Sequence, residues 1–213
     1  MPKRYTAGAR LYDVLSGERL VYRVGRVAGI DALRLGRGDI VLDLGCGTGL
    51  NLPLILDRVG ADGHVIGVDR SSSMLTVARD RVRRHGWANV SLLEADVLLV
   101  DPAQITSIAL REGGRSRVDA AFSSYAMSVF DDWMPAWELL RGVVRPGGRA
   151  GIVDMALPTG AAAVFSPLAR LACAAGGADI TARPWRALER EGADAEHFVH
   201  RGGHIHVVTG TLP

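Results

Sequence analysis

The sequence predicts an α/β fold: a doubly wound, Rossmann-like sheet of seven strands, mostly parallel, with an antiparallel C-terminal strand. Two observations carry this prediction. Short apolar stretches alternate five times with helix-like stretches along residues 39–155, the pattern of parallel strands joined by right-handed crossovers. Residues 195–210 then resemble a hairpin that turns at Gly202 and Gly203. Such a sheet binds its ligand outside the carboxyl ends of the strands, where the strand order reverses.

Hydrophobic patterning places each element in turn. The predicted strands are residues 39–44, 64–69, 89–96, 118–124 and 149–155. The predicted helices are residues 8–29, 50–59, 72–85, 102–110 and 132–144, and residues 156–192 are irregular with one or two helices. Pro53 falls in the first turn of its helix, and Ser71 can cap the next one. The run Arg-Pro-Gly-Gly, residues 145–148, is expected to end the last predicted helix.

Composition limits the class of protein. The chain has 213 residues, of which 48% are hydrophobic and 23% charged, as expected for a globular domain. Two distant cysteines, Cys46 and Cys173, and no apolar signal core at the N-terminus predict a cytoplasmic protein. The net charge of +2 gives no reason to expect nucleic acid. Lys3 is the only lysine, which excludes a P-loop lysine or a Schiff-base lysine inside the fold.

A glycine-rich run follows the first predicted strand. In VLDLGCGTGLN, residues 41–51, every second residue from Gly45 to Gly49 is glycine, so a ligand can lie against the backbone. A dinucleotide-binding turn of this register needs a glycine at position 50, where this chain has Leu50. The preceding acid, Asp43, would repel a pyrophosphate and can help to hold an ammonium group. The turn therefore favours an adenosyl amino acid over a dinucleotide.

The run resembles the first motif of the class I S-adenosylmethionine-dependent methyltransferases. The second strand ends in Asp69, where the family's acid takes the ribose hydroxyls. The third ends near Asp96, where the family's acid meets the adenine amine beside an apolar residue, here Val97. With the Arg-Pro-Gly-Gly run, the resemblance covers residues 39–155. It implies S-adenosylmethionine as the cofactor and these cofactor-binding residues: Asp43, Gly45, Cys46, Gly47, Gly49, Asn51, Asp69, Arg70, Met74, Asp96, Val97 and Ser123.

Several of these residues have a structural alternative. Asp43 and Asp69 can each cap a turn, and Glu94 points to the same side of its strand as Asp96. Cys46 is expected to line the pocket and not to act as a nucleophile. The histidines of the C-terminal hairpin fit no closed ligand set, so no metal is expected at His197, His200, His204 and His206.

The methyl acceptor is less well specified than the cofactor. Methyl transfer from a sulfonium is an in-line displacement in which the protein mainly positions the reactants. Tyr125, at the end of the fourth strand, is the predicted catalytic residue: its ring can face a developing quaternary ammonium, or its hydroxyl can orient a lone pair. The alternative is that Tyr125 packs under the next helix with Met127 and Phe130.

Two further stretches resemble one branch of the family. YDVLSGERLVYRVGR, residues 12–26, and SYAMSVFDDW, residues 124–133, are similar to lipid head-group N-methylating members of the quinone-biosynthesis and phospholipid N-methyltransferase branch. The resemblance implies a small-molecule or lipid-like acceptor, one candidate being an amine head group. A quinone or phenol C- or O-methyltransferase, a non-catalytic cofactor-binding protein and an oxidoreductase remain alternatives. The fourth strand lacks the prolines of DNA amino-methylases, so no nucleic-acid partner is expected.

The N-terminal segment is basic, with six basic and two acidic residues among the first 26. We expect residues 1–38 to form an N-terminal helical lid and residues 39–213 the S-adenosylmethionine-binding methyltransferase domain. The basic helix, residues 8–29, either rests on an anionic membrane surface, which would make the protein membrane-peripheral, or is a solvated lid. The sequence leaves the oligomeric state open.

Overall fold

Seven strands form one sheet in residues 21–213, the part of the chain that the computed structural model describes. The strands are β1 (Ile40–Leu44), β2 (His64–Asp69), β3 (Val90–Glu94), β4 (Val118–Ser124), β5 (Val144–Met155), β6 (Ala193–His200) and β7 (Ile205–Thr211). Their order is β3-β2-β1-β4-β5-β7-β6. Strands β1 to β5 are parallel, β7 is antiparallel to β5, and β6 is antiparallel to β7. The predicted fold class is confirmed.

Helices connect these strands. The α-helices among the described residues are α1 (Arg23–Ala32), α2 (Leu52–Val59), α3 (Ser72–His85), α4 (Pro102–Gly113), α5 (Met134–Val143), α6 (Ser166–Gly176) and α7 (Trp185–Glu191). Short 3-10 helices cover Met127–Val129 and Gly160–Phe165. The predicted cap of α3 is present, because the Ser71 hydroxyl accepts a hydrogen bond from the backbone N–H of Met74 at 3.4 Å.

The helices cover both faces of the sheet because side chains alternate along each strand. On one face, Val41 packs with Phe122 and with residues of α1 and α2 such as Ile30 and Ile55. On the other face, Leu42 belongs to a second core with residues of α4, α5 and α7, including Ile105, Trp137 and Leu188. The strand order reverses between β1 and β4, so the carboxyl ends of these two strands border the crevice that is expected to bind a ligand.

The largest difference between an observed boundary and the prediction lies between α5 and β5. Helix α5 ends at Val143, and the Arg-Pro-Gly-Gly run lies within β5 instead of forming a turn before it. The pairing of β5 with β4 runs from Val118–Val144 to Ala120–Arg149, so the run is an irregular insertion in the strand. Gly147 has φ +72° there, a conformation that glycine adopts without strain. The predicted helix of residues 8–29 is described only from residue 21, and residues 8–20 lie outside the described residues.

Helix α1 packs unusually close to the sheet through two glycines one turn apart. A Cβ on Gly25 would lie 2.2 Å from the Tyr125 hydroxyl, and a Cβ on Gly29 would lie 2.7 Å from Val153 Cγ2. Only glycine allows this approach, which is far inside the van der Waals distance. The result is that Arg26, between the two glycines, reaches the carboxyl end of β4. The predicted domain boundary at residue 38 stays a prediction.

Candidate functional site

A cleft opens at the carboxyl ends of β1 to β4, where the topology predicts the ligand site. Its empty volume is about 850 Å³, including the open solvent at its mouth. Eight of the predicted site residues line it: Gly45, Cys46, Gly47, Asp69, Arg70, Met74, Val97 and Tyr125.

The three glycines of the turn after β1 have different surroundings. All three have positive φ, +72° at Gly45, +54° at Gly47 and +77° at Gly49. A Cβ on Gly45 would meet the Ala126 side chain at 2.4 Å, and one on Gly49 would meet Leu52 at 2.7 Å. A Cβ on Gly47 would have nothing within 4 Å. Gly47 therefore faces the open cleft, while the other two glycines serve the packing of the turn.

Asp69 joins this turn to the start of α3. One carboxylate oxygen accepts a hydrogen bond from the backbone N–H of Gly47 at 2.8 Å, and the other accepts one from Ser71 at 2.8 Å. Burial raises the pKa of Asp69, and the two backbone hydrogen bonds partly oppose that rise. Each oxygen retains a lone pair for a hydroxyl group in the cleft. Asp69 thus holds the turn and has the capacity to bind a ligand.

A buried polar network lies behind the turn. The Asn51 amide donates to Asp43 at 2.8 Å and to the Ser124 hydroxyl at 3.0 Å. Arg26 donates to Ser124 at 2.6 Å and to Asn51 at 3.1 Å. The second oxygen of Asp43 is buried and has no hydrogen-bond partner among the described residues. Burial raises the pKa of Asp43 to about 6, although the Asn51 hydrogen bond and the Arg26 charge lower it.

Tyr125, at the edge of the cleft, is held by several contacts. Its backbone has φ +56°, which is strained for a residue other than glycine. Its N–H donates to Val153 at 2.8 Å, and its hydroxyl donates to the backbone carbonyl of Tyr22 at 2.7 Å. Its ring lies edge-on to Tyr22, with 5.0 Å between the ring centres, and the Arg26 guanidinium carbon lies 5.0 Å above the ring. Strain of this kind is common at functional sites.

The remaining predicted residues lie near the cleft but do not line it. Asp43 and Asn51 are in the buried network, Gly49 packs on Leu52, and the Ser123 hydroxyl donates to the Leu44 carbonyl at 3.0 Å. Asp96 accepts from the backbone N–H of Leu98 at 3.0 Å, next to the lining residue Val97. Lining residues that were not predicted include Arg26, Thr48, Leu50, Ser71, Ser124 and Ala126.

Cys46 is buried, and two histidines of the C-terminal hairpin pair with each other. Burial raises the pKa of the Cys46 thiol well above its ordinary value, so the thiol stays protonated and is a poor nucleophile. His206 stacks on Trp185, with 4.4 Å between ring centres, and its ring bonds to that of His197 at 2.8 Å. Within residues 21–213, no group of three or more His, Cys, Asp or Glu residues is arranged to hold a metal ion. None of the helices described there is long and apolar enough to cross a membrane.

Comparison with known proteins decides the family. The family described as "Methyltransferase domain" matches residues 41–148 of the 213, which include the glycine turn, strands β2 to β4 and all of β1 except Ile40. The chain belongs to this family. The prediction of a class I S-adenosylmethionine-dependent methyltransferase is confirmed.

One curated relative of this methyltransferase is the 2-phytyl-1,4-naphtoquinone methyltransferase of Synechococcus elongatus. It is 36% identical over 133 residues, which cover 62% of this chain and 50% of the relative. The match thus spans about half the length of that protein.

Solved structures of other methyltransferases share the fold. A SAM-dependent methyltransferase from Aquifex aeolicus has a TM-score of 0.64 at 19% identity. The match covers 96% of this chain and 98% of the Aquifex chain. The phosphoethanolamine N-methyltransferase 2 of Haemonchus contortus, solved with S-adenosyl-L-methionine, has a TM-score of 0.72 at 15% identity. That match covers 99% of this chain and 58% of the other. At these identities the likeness shows the fold alone.

The cleft of this methyltransferase fits S-adenosylmethionine, the family's cofactor. Gly47 leaves open the space that a Cβ would fill, so a ligand can approach the backbone of the turn. Asp69 offers carboxylate lone pairs at the end of β2, and Met74 and Val97 add apolar lining to the cleft. The cofactor predicted from the sequence is therefore confirmed, whereas the role of each residue is a proposal.

Proposed function

We propose that this methyltransferase methylates a phenol- or quinol-type acceptor that reacts as an anion. The observation that carries the proposal is the position of Arg26, whose guanidinium lies in the cleft over the Tyr125 ring and bonds to Ser124. A fixed positive charge beside the acceptor favours a negatively charged reactant and disfavours an ammonium ion. The naphthoquinone named in the relative from Synechococcus elongatus supports the same acceptor class.

The residues of the glycine turn are assigned to the cofactor. The turn from Gly45 to Gly49 holds the methionine portion, and the carboxylate of Asp69 accepts the ribose hydroxyls. Met74 and Val97 contact the adenine, and Asp96, beside Val97, is the predicted partner of the adenine amine. S-adenosylmethionine supplies a methyl group that is already activated by its sulfonium. The chain therefore has to bind, orient and exclude water, and it needs no group to activate the donor.

Arg26 acts on the acceptor through its charge. A cation next to a phenol hydroxyl lowers the pKa of that hydroxyl, so more of the acceptor is phenolate at neutral pH. Negative charge on the oxygen raises the electron density of the ring carbons as well as of the oxygen, and either atom can then take the methyl group. Among the described residues that line the cleft, Asp69 is the one carboxylate, and both of its oxygens hold backbone N–H groups. Arg26 thus reduces the need for a strong base.

The amine head group predicted from the sequence is the competing acceptor. Its methylated product is a cation, which would meet the like charge of Arg26. One face of the Tyr125 ring already has Arg26 above it, so that face is not available to a quaternary ammonium. The predicted membrane contact of residues 8–29 falls largely outside the described residues and stays a prediction.

The pH dependence of methylation tests this proposal. A naphthol or a reduced naphthoquinone is supplied as the acceptor, and the wild type is compared with Arg26→Gln. The variant should lose about tenfold or more of the rate at neutral pH, and its pH–rate profile should move to higher pH, because the acceptor must ionise without a neighbouring cation. Arg23→Gln is the matched control, since Arg23 is exposed on the same helix. Identical pH profiles for all three proteins would refute the proposed role of Arg26.

A further inference from the structure

An exposed apolar surface lies on α6 and the 3-10 helix that precedes it. Val164, Phe165, Leu168 and Leu171, here called the α6 face, are exposed to 74%, 60%, 64% and 70%. Leu168 and Leu171 are three residues apart on α6 and project from the same side of it, and Val164 and Phe165 end the 3-10 helix just before it. Large apolar side chains that cluster on one exposed side mark an interaction surface more often than scattered ones do.

Two exposed arginines lie next to the α6 face, and the exposed Asp179 follows the C-terminal end of α6. Residues 156–178 contain no Asp or Glu, and their one charged residue is Arg170, which is exposed. A second arginine, Arg201, is exposed on the β6–β7 turn. That turn lies against the 3-10 helix, because the N–H of Thr159 donates to the Gly202 carbonyl at 2.8 Å. An apolar surface flanked by arginines complements a surface that is apolar inside and negatively charged outside.

The opposite side of α6 packs against residues that border the cleft. Ala169 and Cys173 are buried and pack with Met155 and Ile180, and the rings of Tyr22 and Tyr125 pack against this cluster. One helix diameter, about 10 Å, therefore separates the α6 face from the Tyr125 side of the cleft. A flat partner bound to the α6 face would lie beside the place where an acceptor enters.

We propose that the α6 face docks on a bilayer surface that contains anionic lipids. The apolar side chains enter the boundary between headgroups and acyl chains, and Arg170 stays at the level of the lipid phosphates. The proposal goes beyond the proposed function and does not depend on the identity of the acceptor, because docking needs neither acceptor nor methyl transfer.

Vesicle co-sedimentation of the full chain tests this docking surface. Vesicles of phosphatidylglycerol mixed with phosphatidylcholine should bind the protein, and vesicles of phosphatidylcholine alone should bind it several-fold less. Leu168→Glu should weaken binding about tenfold or more, because a charge replaces a side chain that enters the bilayer. Arg170→Gln should weaken binding to the anionic vesicles about fivefold, with little effect on the neutral ones. Leu110→Glu is the matched control, since Leu110 is 56% exposed on α4.

The outcomes separate docking from its alternatives. Unchanged S-adenosylmethionine affinity in Leu168→Glu shows that the cleft is intact, so a loss of vesicle binding is then a property of the surface. The proposal is overturned if the wild type does not bind anionic vesicles, or if Leu110→Glu and Leu168→Glu weaken binding equally. It is also overturned if Leu168→Glu leaves vesicle binding unchanged and instead converts a dimer to a monomer, since the α6 face would then join two copies of the chain.

Discussion

The guanidinium carbon of Arg26 lies 5.0 Å from the centre of the Tyr125 ring, and the Tyr125 hydroxyl donates to the Tyr22 carbonyl at 2.7 Å. Helix α1 and the end of β4 are therefore bound to each other beside the cleft. The positive φ of Tyr125 costs about 1–3 kcal/mol, which these contacts offset. A side chain held in this way is suited to orient an acceptor.

Substitution of Tyr125 separates its ring from its hydroxyl. Tyr125→Phe removes the hydrogen bond to Tyr22 and should lower the free energy of unfolding by about 0.5–1.5 kcal/mol, with a small effect on the methylation rate. Tyr125→Ala removes the ring beneath Arg26 and should lower the rate about tenfold or more, with S-adenosylmethionine affinity kept within about twofold. If Tyr125→Ala instead loses stability and cofactor affinity together, at an unchanged rate per folded molecule, Tyr125 is a core residue.

Two glycines with similar backbones provide a test of the cofactor site. Gly47 and Gly86 have φ +54° and +66°, and a Cβ on either would have nothing within 4 Å. Valine at either position should lower the free energy of unfolding by about 1–2 kcal/mol or somewhat more. Only Gly47→Val should also abolish S-adenosylmethionine binding in calorimetry, because Gly47 faces the cleft and Gly86 caps α3. Equal affinities of the two folded variants would show that the turn does not contact the cofactor.

Asp69 is expected to affect both binding and stability. Its carboxylate faces the cleft and also accepts backbone hydrogen bonds from Gly47 and Ser71. Asp69→Ala should therefore lower the free energy of unfolding by about 1–3 kcal/mol, and cofactor binding by about 1.5–3 kcal/mol. Asp69→Asn retains one acceptor oxygen. It should therefore reduce thermal stability less than Asp69→Ala does, while its cofactor affinity still falls. Wild-type affinity in either variant would exclude Asp69 as the ribose acid.

Asp43 should make stability depend on pH. Its pKa is raised from 3.8 to about 6, so the folded protein binds this proton more tightly than the unfolded chain does. The free energy of unfolding should therefore fall as the pH rises from about 4 to about 6, and level off above that. The contribution of Asp43 is on the order of 2–3 kcal/mol.

Asp43→Asn should remove this contribution, because the asparagine stays neutral and its carbonyl oxygen still accepts from Asn51. Urea unfolding at about pH 4 and about pH 7 measures the difference in each protein. The other carboxylates cancel in the comparison, including Asp154, whose pKa burial also raises to about 6. The variant should also bind S-adenosylmethionine more weakly. A pH dependence equal to that of the wild type would mean that Asp43 is ionised throughout this range.

The sheet and the glycine turn were predictable because their signals are local. Strands β1, β2 and β4 are short, mainly apolar runs with polar or glycine residues at their ends. Such runs are typical of buried parallel strands. The Asp69 position followed from the end of a strand. Local patterns also placed α3, since Ser71 precedes a run with helical spacing.

Arg26 was not predicted as a site residue because its partners are distant in sequence. It lies 98 residues from Ser124 and 25 from Asn51, and only the close packing of Gly25 and Gly29 brings its helix to β4. The Arg-Pro-Gly-Gly run was misplaced for a related reason. Proline and glycine favour a turn locally, whereas pairing of the flanking residues with β4 keeps the run within a strand.

Transfer of an isotopically labelled methyl group to two competing acceptors tests the central claim most directly. A reduced naphthoquinone and a primary alkylamine of similar size are supplied together with labelled S-adenosylmethionine, and NMR locates the label. The account predicts label on a ring carbon or oxygen of the quinol, strongly reduced in Arg26→Gln and absent in Gly47→Val. Label on the amine nitrogen alone, at equal rates in the wild type and Arg26→Gln, would contradict it.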